Sequence, residues 1–354
     1  MYEQADVVVI GGGQAGLAAG YHLARKKIAY IILESQAQSA GSWPNYYDRL
    51  KLFSPARFSS LPGMKMPGNP ARYPHRDEIV QYLLAYKDAF DLSIIANQQV
   101  HSVRKEGNQF VVFTAEGKAF RSKAVINATG SFRNPYIPGI TGQERFRGIT
   151  LHSSEYRNPK PFEQKRVVVV GRGNSAVQIA VELADVSDTS LAVLKPVQFT
   201  KQRLFGKDAH FWLRVTGFDT FPFWRFGLSA PNPGAVIDLG KYQERLQAER
   251  PYQQRMFTAF YEDGVIWPDG SKEKIDAIIW ATGYRPGLDH LRSTRALEQD
   301  GKPLHTAGVS ISEPGLYYVG LQGQRSFASA TLRGVGSDAK YVVRQLCKKL
   351  QSRN

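Results

Sequence analysis

Short unbroken runs of β-branched residues punctuate the chain, and the clearest are followed by glycines and then by an alanine-rich stretch. Val7-Val8-Val9-Ile10 leads into Gly11-Gly12-Gly13-Gln14-Ala15-Gly16, which predicts a strand over 7–10 and a helix over 14–26. Tyr30-Ile31-Ile32-Leu33-Glu34 predicts the next strand, and alternation near 100–120 predicts a hairpin. Ala124-Val125-Ile126-Asn127 then runs into Ala128-Thr129-Gly130. The same order returns further on. Val167-Val168-Val169-Val170 precedes Gly171-Arg172-Gly173-Asn174-Ser175-Ala176, with a helix predicted over 174–184 and a strand over Leu191–Lys195. This second series closes on Asp276–Trp280 followed by Ala281-Thr282-Gly283-Tyr284.

A repeat at this scale predicts an α/β fold of two Rossmann-like dinucleotide-binding domains, one for FAD and one for NAD(P)H. After Tyr284, a connection marked by Pro and Gly leads to a strand over Gly315–Gly320 and a last helix from about Ala330. These are expected to return to the first domain. The division is then 1–155 with 285–354 for FAD, and 156–284 for NAD(P)H. The stretch 200–250, rich in Phe, Trp, Pro and Arg, reads as an insertion in the second domain. It is either a cover over the substrate entrance or a packed aromatic surface segment.

Composition narrows the chemistry. A length of 354 residues suits about two domains. The first strand begins so near Met1 that no signal peptide is expected, and no apolar run reaches the length of a membrane span. One cysteine, Cys347, excludes an internal disulfide and suits a cytoplasmic location. It also excludes a redox-active cysteine pair beside a flavin. The formal charge of +15 comes from scattered Lys and Arg without a nucleic-acid-binding motif, so a solvated basic surface is expected rather than a nucleic-acid partner. The histidines show no metal-site spacing, and no metal is expected.

Each glycine loop has a physical reading. Gly11 permits the tight turn, Gly13 lets the backbone approach a pyrophosphate, and Gly16 allows close helix–strand packing, with Gln14 and Ala15 at the helix start. The helix N-terminus faces the phosphates. Glu34 stands where a carboxylate accepts hydrogen bonds from a ribose diol. In the second loop Gly171, Gly173, Asn174 and Ser175 play the corresponding parts. Leu194 replaces the ribose carboxylate there, and Lys195 follows it. A cation at this place favours NADPH, with NADH use also open; a solvated strand-end lysine is the alternative reading. Ala128, Thr129 and Gly130, with Ala281, Thr282 and Gly283, are further candidate cofactor contacts.

Between the units, Phe146-Arg147-Gly148-Ile149-Thr150-Leu151-His152-Ser153-Ser154-Glu155-Tyr156 fits the FxGxxxHxxx(Y/F) signature of flavin-containing monooxygenases. With both glycine loops, Gly41-Ser42-Trp43 and Ala281-Thr282-Gly283-Tyr284, the resemblance spans nearly the whole chain. It is to the short bacterial branch of that family, related to flavoproteins associated with arsenic operons and cation transport. Baeyer–Villiger enzymes typically carry Trp at the end of the signature, followed by Pro or Asp. Tyr156-Arg157 instead resembles the heteroatom-oxidising branch.

The resemblance implies that Phe146, Gly148, His152 and Tyr156 link the domains rather than act as acids or bases. It places Trp43 beside the flavin, and Gln324 and Thr331 at its pyrimidine edge. Ser329–Gly334 reads as a helix start whose N–H groups face that edge. Larger members carry an Asn near the flavin, where this chain has Leu52-Phe53-Ser54-Pro55, so Phe53 or Ser54 takes its place.

The implied activity is NAD(P)H-consuming transfer of one oxygen atom from a flavin hydroperoxide to a small nucleophile or ketone. Sulfoxidation, N-oxidation and Baeyer–Villiger oxidation are all within it. O2 and a small molecule are the expected partners, with a homodimer expected from the family. An NAD(P)H oxidase or quinone reductase without oxygen transfer, and a non-catalytic redox sensor, remain alternatives.

Overall fold

The structure, a computed structural model, describes residues 2–231 and 234–351. In the first unit Glu3–Ile10 forms β1, Gln14–Arg25 α1 and Tyr30–Leu33 β2. They are followed by α2 (Arg76–Ala89), β3 (Ile94–Ile95), β4 (Val100–Glu106), β5 (Gln109–Thr114) and β6 (Ala119–Asn127). β1 lies between β2 and β6, parallel to both. The late strand Leu316–Tyr318 pairs parallel to the far side of β6, so the chain returns to this sheet as expected. Val7, Val8 and Val9 have no exposed surface. A strand inside a parallel sheet is covered on both faces, which is why its sequence is an unbroken apolar run rather than an alternating one. Val7 and Val9 pack toward α1 and the C-terminal helix, while Val8 and Ile10 pack toward the β4–β5 hairpin and Leu288–Ala296.

The chain leaves through β7 (Asn134–Pro135) and returns through Tyr284–Arg285, which pair antiparallel as a two-stranded crossing. The second sheet is parallel throughout. Its order is Tyr252–Arg255, β10 (Asp188–Val193), β9 (Arg166–Val170), Ala277–Trp280 and β8 (Ile149–His152). The glycine loop after β9 opens α3 (Asn174–Leu183). β8 differs from expectation: residues 149–152 fall inside the range 1–155 assigned to the first domain, yet they pair with Ala277–Trp280 in the second sheet. The apolar face of Leu151 is packed in the second core, and this fixes the allegiance.

The last helix, Val335–Gln351, begins later than the expected Ala330. Ala330 has φ of +67°, which breaks right-handed helix, and a Cβ on Gly334 would lie 2.1 Å from the Ala328 carbonyl oxygen. Residues 329–334 are therefore a tight turn instead of a first helical turn.

The inserted stretch is closed at its base by a parallel pairing of Phe199–Thr200 with Val236–Ile237 and carries α4 (Ala209–Val215). It reaches across to the first unit. Arg333 Nε bonds both carboxylate oxygens of Asp219 at 3.1 and 3.0 Å, and the His210 ring stacks on Phe53.

Candidate active site

A cavity of about 380 Å³ runs between the units, and both glycine loops contribute to its wall. At the first loop the close approaches are steric facts. Gly11 has φ of +104°, and a Cβ there would meet the Ala128 carbonyl oxygen at 2.7 Å. A Cβ on Gly16 would sit 1.8 Å from the Gly11 carbonyl oxygen, so only glycine lets α1 start this close to β1. Gly13 caps α1 without a side-chain partner, and the first turn holds no acid. The N-terminal N–H groups thus present an uncompensated positive end, the arrangement that receives phosphate.

Glu34 is buried beside this loop. Its Oε2 accepts from the Gly12 N–H at 2.7 Å, and its Oε1 accepts from the Gln36 N–H at 2.8 Å and the Ser35 hydroxyl at 3.1 Å. These bonds aim the carboxylate along the cavity wall. Ala128, Thr129 and Gly130 line the wall opposite. His290 joins them: its Nε2–H donates to Asn127 Oδ1 at 2.8 Å, and burial holds its pKa down at about 4. His290 carries no sequence signal: it stands in the single helical turn Asp289–Leu291, which belongs to no motif.

Gln14 has both ends of its amide engaged. Nε2 donates to the Ala330 carbonyl at 2.6 Å, and Oε1 accepts from Trp43 Nε1 at 3.2 Å. It therefore clips Trp43 and the 330 turn to the first loop. Trp43, Ala15 and Thr331 line the cavity with it. Gln324 is seated elsewhere. Its amide is buried against the backbone of Leu321 and Tyr318, away from the cavity lining.

Phe53 and Ser54 both border the cavity. The Ser54 hydroxyl is 2.8 Å from that of Ser59, which in turn donates to the Pro55 carbonyl. It is tied into its own turn, while Phe53 presents an apolar ring.

From the second unit Asn174 and Ser175, at the start of α3, reach the same cavity, with Gln178 one turn later. Asn174 Oδ1 is buried without a hydrogen-bond partner among the described residues. Gly171, at φ +138°, would place a Cβ 2.4 Å from the Ala281 carbonyl oxygen, whereas Gly173 opens onto free space. Gln178 and its partner Tyr47 were not singled out from sequence. Spacing from Asn174 and Ser175 along one helix face was the available signal.

Ala281, Thr282 and Gly283 do not line the cavity. The Thr282 hydroxyl instead donates to the Tyr136 carbonyl, and the Gly283 carbonyl accepts from the Tyr136 N–H, fastening the crossing between units. Lys195 lies exposed at the end of β10 beside Leu194, which is 84% exposed.

The signature residues sit in the joint. His152 is wholly buried. Its Nε2–H donates to the Gly283 carbonyl at 3.0 Å, while Nδ1 receives the Ser154 N–H and hydroxyl. This network fixes a neutral tautomer, and burial holds its pKa below the ordinary histidine value. The Tyr156 hydroxyl donates to Glu182 Oε2 at 3.1 Å, and burial raises the Glu182 carboxyl. A Cβ on Gly148 would lie 2.3 Å from Phe146 Cζ and 2.8 Å from the Asp276 carbonyl oxygen.

Residues 8–214 match the pyridine nucleotide-disulphide oxidoreductase family. The chain belongs to this family. A CzcO-like oxidoreductase of Geobacillus kaustophilus (strain HTA426), itself uncharacterized, is 36% identical over 343 residues, 96% of this chain and 98% of that one. A flavin-containing monooxygenase from Stenotrophomonas maltophilia superposes with a TM-score of 0.87 at 32% identity, over 98% of this chain and 99% of the other. The indole-3-pyruvate monooxygenase YUCCA4 of Oryza sativa subsp. japonica is 30% identical over 391 residues, 97% of this chain and 87% of that one.

The resemblance to flavin-containing monooxygenases is borne out, and the protein is an oxidoreductase of the two-dinucleotide class with FAD and a pyridine nucleotide as cofactors. The family's name refers to a disulphide, but this chain has one cysteine, Cys347, packed partly buried in the last helix. The glycine cradle at Gly11 and Gly16, the aimed Glu34 carboxylate and the unpartnered Asn174 Oδ1 all fit the two nucleotides.

Proposed function

We propose that the protein is an FAD- and NADPH-dependent monooxygenase that places one atom of O2 on a small thioether, amine or carbonyl substrate. The observation carrying this reading is that residues of both nucleotide loops line one shared cavity, together with Trp43 and Phe53. Bound FAD and NADPH supply the reducing equivalents and the activation of oxygen.

The chain's own residues bind, orient and exclude water. Gly11, Gly13 and Glu34 hold the adenosine diphosphate of FAD. Gln14, Trp43 and the turn bearing Thr331 border the ring end. Asn174, Ser175 and Gln178 meet the nicotinamide nucleotide, and Lys195 attracts a 2′-phosphate. Trp43, Leu50, Leu52 and Phe53 give the cavity apolar walls, which suit a substrate of low polarity.

A second reading is an NADPH oxidase. It is favoured by Phe53 and Ser54, because the first is apolar and the second is committed to Ser59, so neither offers a free donor to the cavity.

The deciding experiment supplies the purified holoenzyme with NADPH, isotopically labelled O2 and, in turn, methyl phenyl sulfide and cyclohexanone. Label in the organic product, with little hydrogen peroxide, supports the monooxygenase. Peroxide equal to NADPH consumed, with no labelled product from either probe, leaves the oxidase.

A further inference from the structure

Seven of the fourteen large hydrophobic side chains exposed among the described residues lie between Leu204 and Leu228, on the insertion. Phe205 is 93% exposed and Phe226 64%. The rings form a connected surface: Phe226 stacks on Phe221 at 5.4 Å, Phe221 meets Phe223 at 4.8 Å, and Phe223 meets Phe218 at 5.7 Å. Phe205 packs edge-on to Trp212 of α4, which lies against the Phe218–Thr220 turn. Clustered exposed apolar area of this kind marks a contact surface, unlike hydrophobic residues scattered singly.

Charge names the occupant. Lys201, Arg203, Lys207, Arg214 and Arg225 are all exposed, and none forms an ion pair among the described residues. The two acids of the same stretch are withdrawn: Asp208 is held by Tyr73 and His210, and Asp219 is buried against Arg333. The charged groups this face shows to water are therefore cations, set among exposed apolar side chains. A second copy docked on itself would bring like charges together. Aromatic side chains with flanking Lys and Arg are the composition of surfaces that sit at the headgroup level of a bilayer.

We propose that the face over residues 201–228 docks the protein peripherally on an anionic phospholipid surface. Its rings enter the headgroup boundary and its cations meet lipid phosphates. The Asp219–Arg333 pair and the His210–Phe53 stack hold this face rigidly to the first unit, beside the cavity. Docking requires no membrane-spanning element, and no helix among the described residues is long and apolar enough to cross a membrane.

The test is co-sedimentation of the FAD-loaded, full-length protein with vesicles. One set holds equal parts phosphatidylcholine and phosphatidylglycerol, and the other phosphatidylcholine alone. Two double variants, Phe205→Ser with Phe226→Ser and Lys207→Glu with Arg214→Glu, accompany the wild type, and retained flavin absorbance shows that each is folded. Wild-type binding to the anionic vesicles, released by salt and weakened about tenfold in both variants, supports the proposal. Absence of wild-type binding overturns it. So does binding that the Phe205→Ser, Phe226→Ser variant retains in full, because general basicity then suffices. Sedimentation velocity without lipid supplies a further check: a dimer abolished by the same variant, with no vesicle binding, would assign the face to a second copy.

Discussion

The phenol of Tyr47 donates to Oε1 of Gln178 at 2.8 Å, joining the aromatic segment of the first unit to the helix opened by the second glycine loop. Burial raises the Tyr47 hydroxyl well above its ordinary pKa, so it remains a donor at neutral pH. With its carbonyl end held, the Gln178 amide turns its N–H groups away from Tyr47. A buried hydrogen bond of this type contributes about 1 kcal/mol. Tyr47→Phe should weaken NADP⁺ binding to the holoenzyme about fivefold without lowering FAD content. Titration of the flavin spectrum with NADP⁺ measures this, and unchanged affinity would remove Gln178 from the nicotinamide site.

Glu34 satisfies two backbone N–H groups besides any ribose it holds. Glu34→Ala strands the Gly12 and Gln36 donors at a cost of roughly 1–3 kcal/mol each. The variant should purify with little bound flavin and should need excess FAD to recover turnover. The ratio of flavin to protein absorbance reads the effect directly.

Lys195, two residues beyond β10, is exposed and forms no ion pair among the described residues. An exposed cation of this kind gives at most a modest gain, so Lys195→Ala should raise KM for NADPH up to about fivefold. KM for NADH should stay unchanged. Equal effects on both coenzymes would show that the lysine does not meet a 2′-phosphate.

Two buried groups give opposing pH dependences. Burial lowers His290 to about 4, so its contribution is fully present above about 6.5 and is lost as pH falls toward 4. Asp338 is raised to about 6, chiefly by burial and against the pull of Ser329 and Arg325. Its contribution is present below about 3.8 and is lost as pH rises through 6. Each amounts to roughly 3 kcal/mol, and between pH 4 and 6 they nearly cancel. Relative to wild type, Asp338→Asn should gain stability across that window as pH rises, and His290→Gln should lose it. Urea unfolding at pH 4, 5 and 6 would expose either slope, and parallel curves for all three proteins would refute both assignments.

Gly148 is fixed by contact rather than by backbone angle. Gly148→Ala would drive a methyl group into Phe146 and the Asp276 carbonyl, destabilising the joint by about 1–3 kcal/mol or more. A lowered unfolding midpoint with FAD affinity kept is the expected result, because Gly148 lies outside the cavity lining.

The two nucleotide units, their order and the return of the chain to the first sheet can all be read from the order of residues alone. Those features depend on local physics: unbroken apolar runs make buried parallel strands, and glycine at 11, 16 and 171 is required by approaches under 3 Å. Glu34 was legible for the same reason, since its spacing from the loop is set by one strand–helix–strand unit. Tertiary structure decided what depends on residues far apart in the chain. It moved residues 149–152 into the second sheet, turned 329–334 away from helix, and took Gln324 out of the cavity. It also brought Tyr47 to Gln178, His290 to Asn127 and Asp219 to Arg333. Each of these pairings spans more than a hundred residues, and its geometry follows from how two sheets and an insertion pack, which no local pattern encodes.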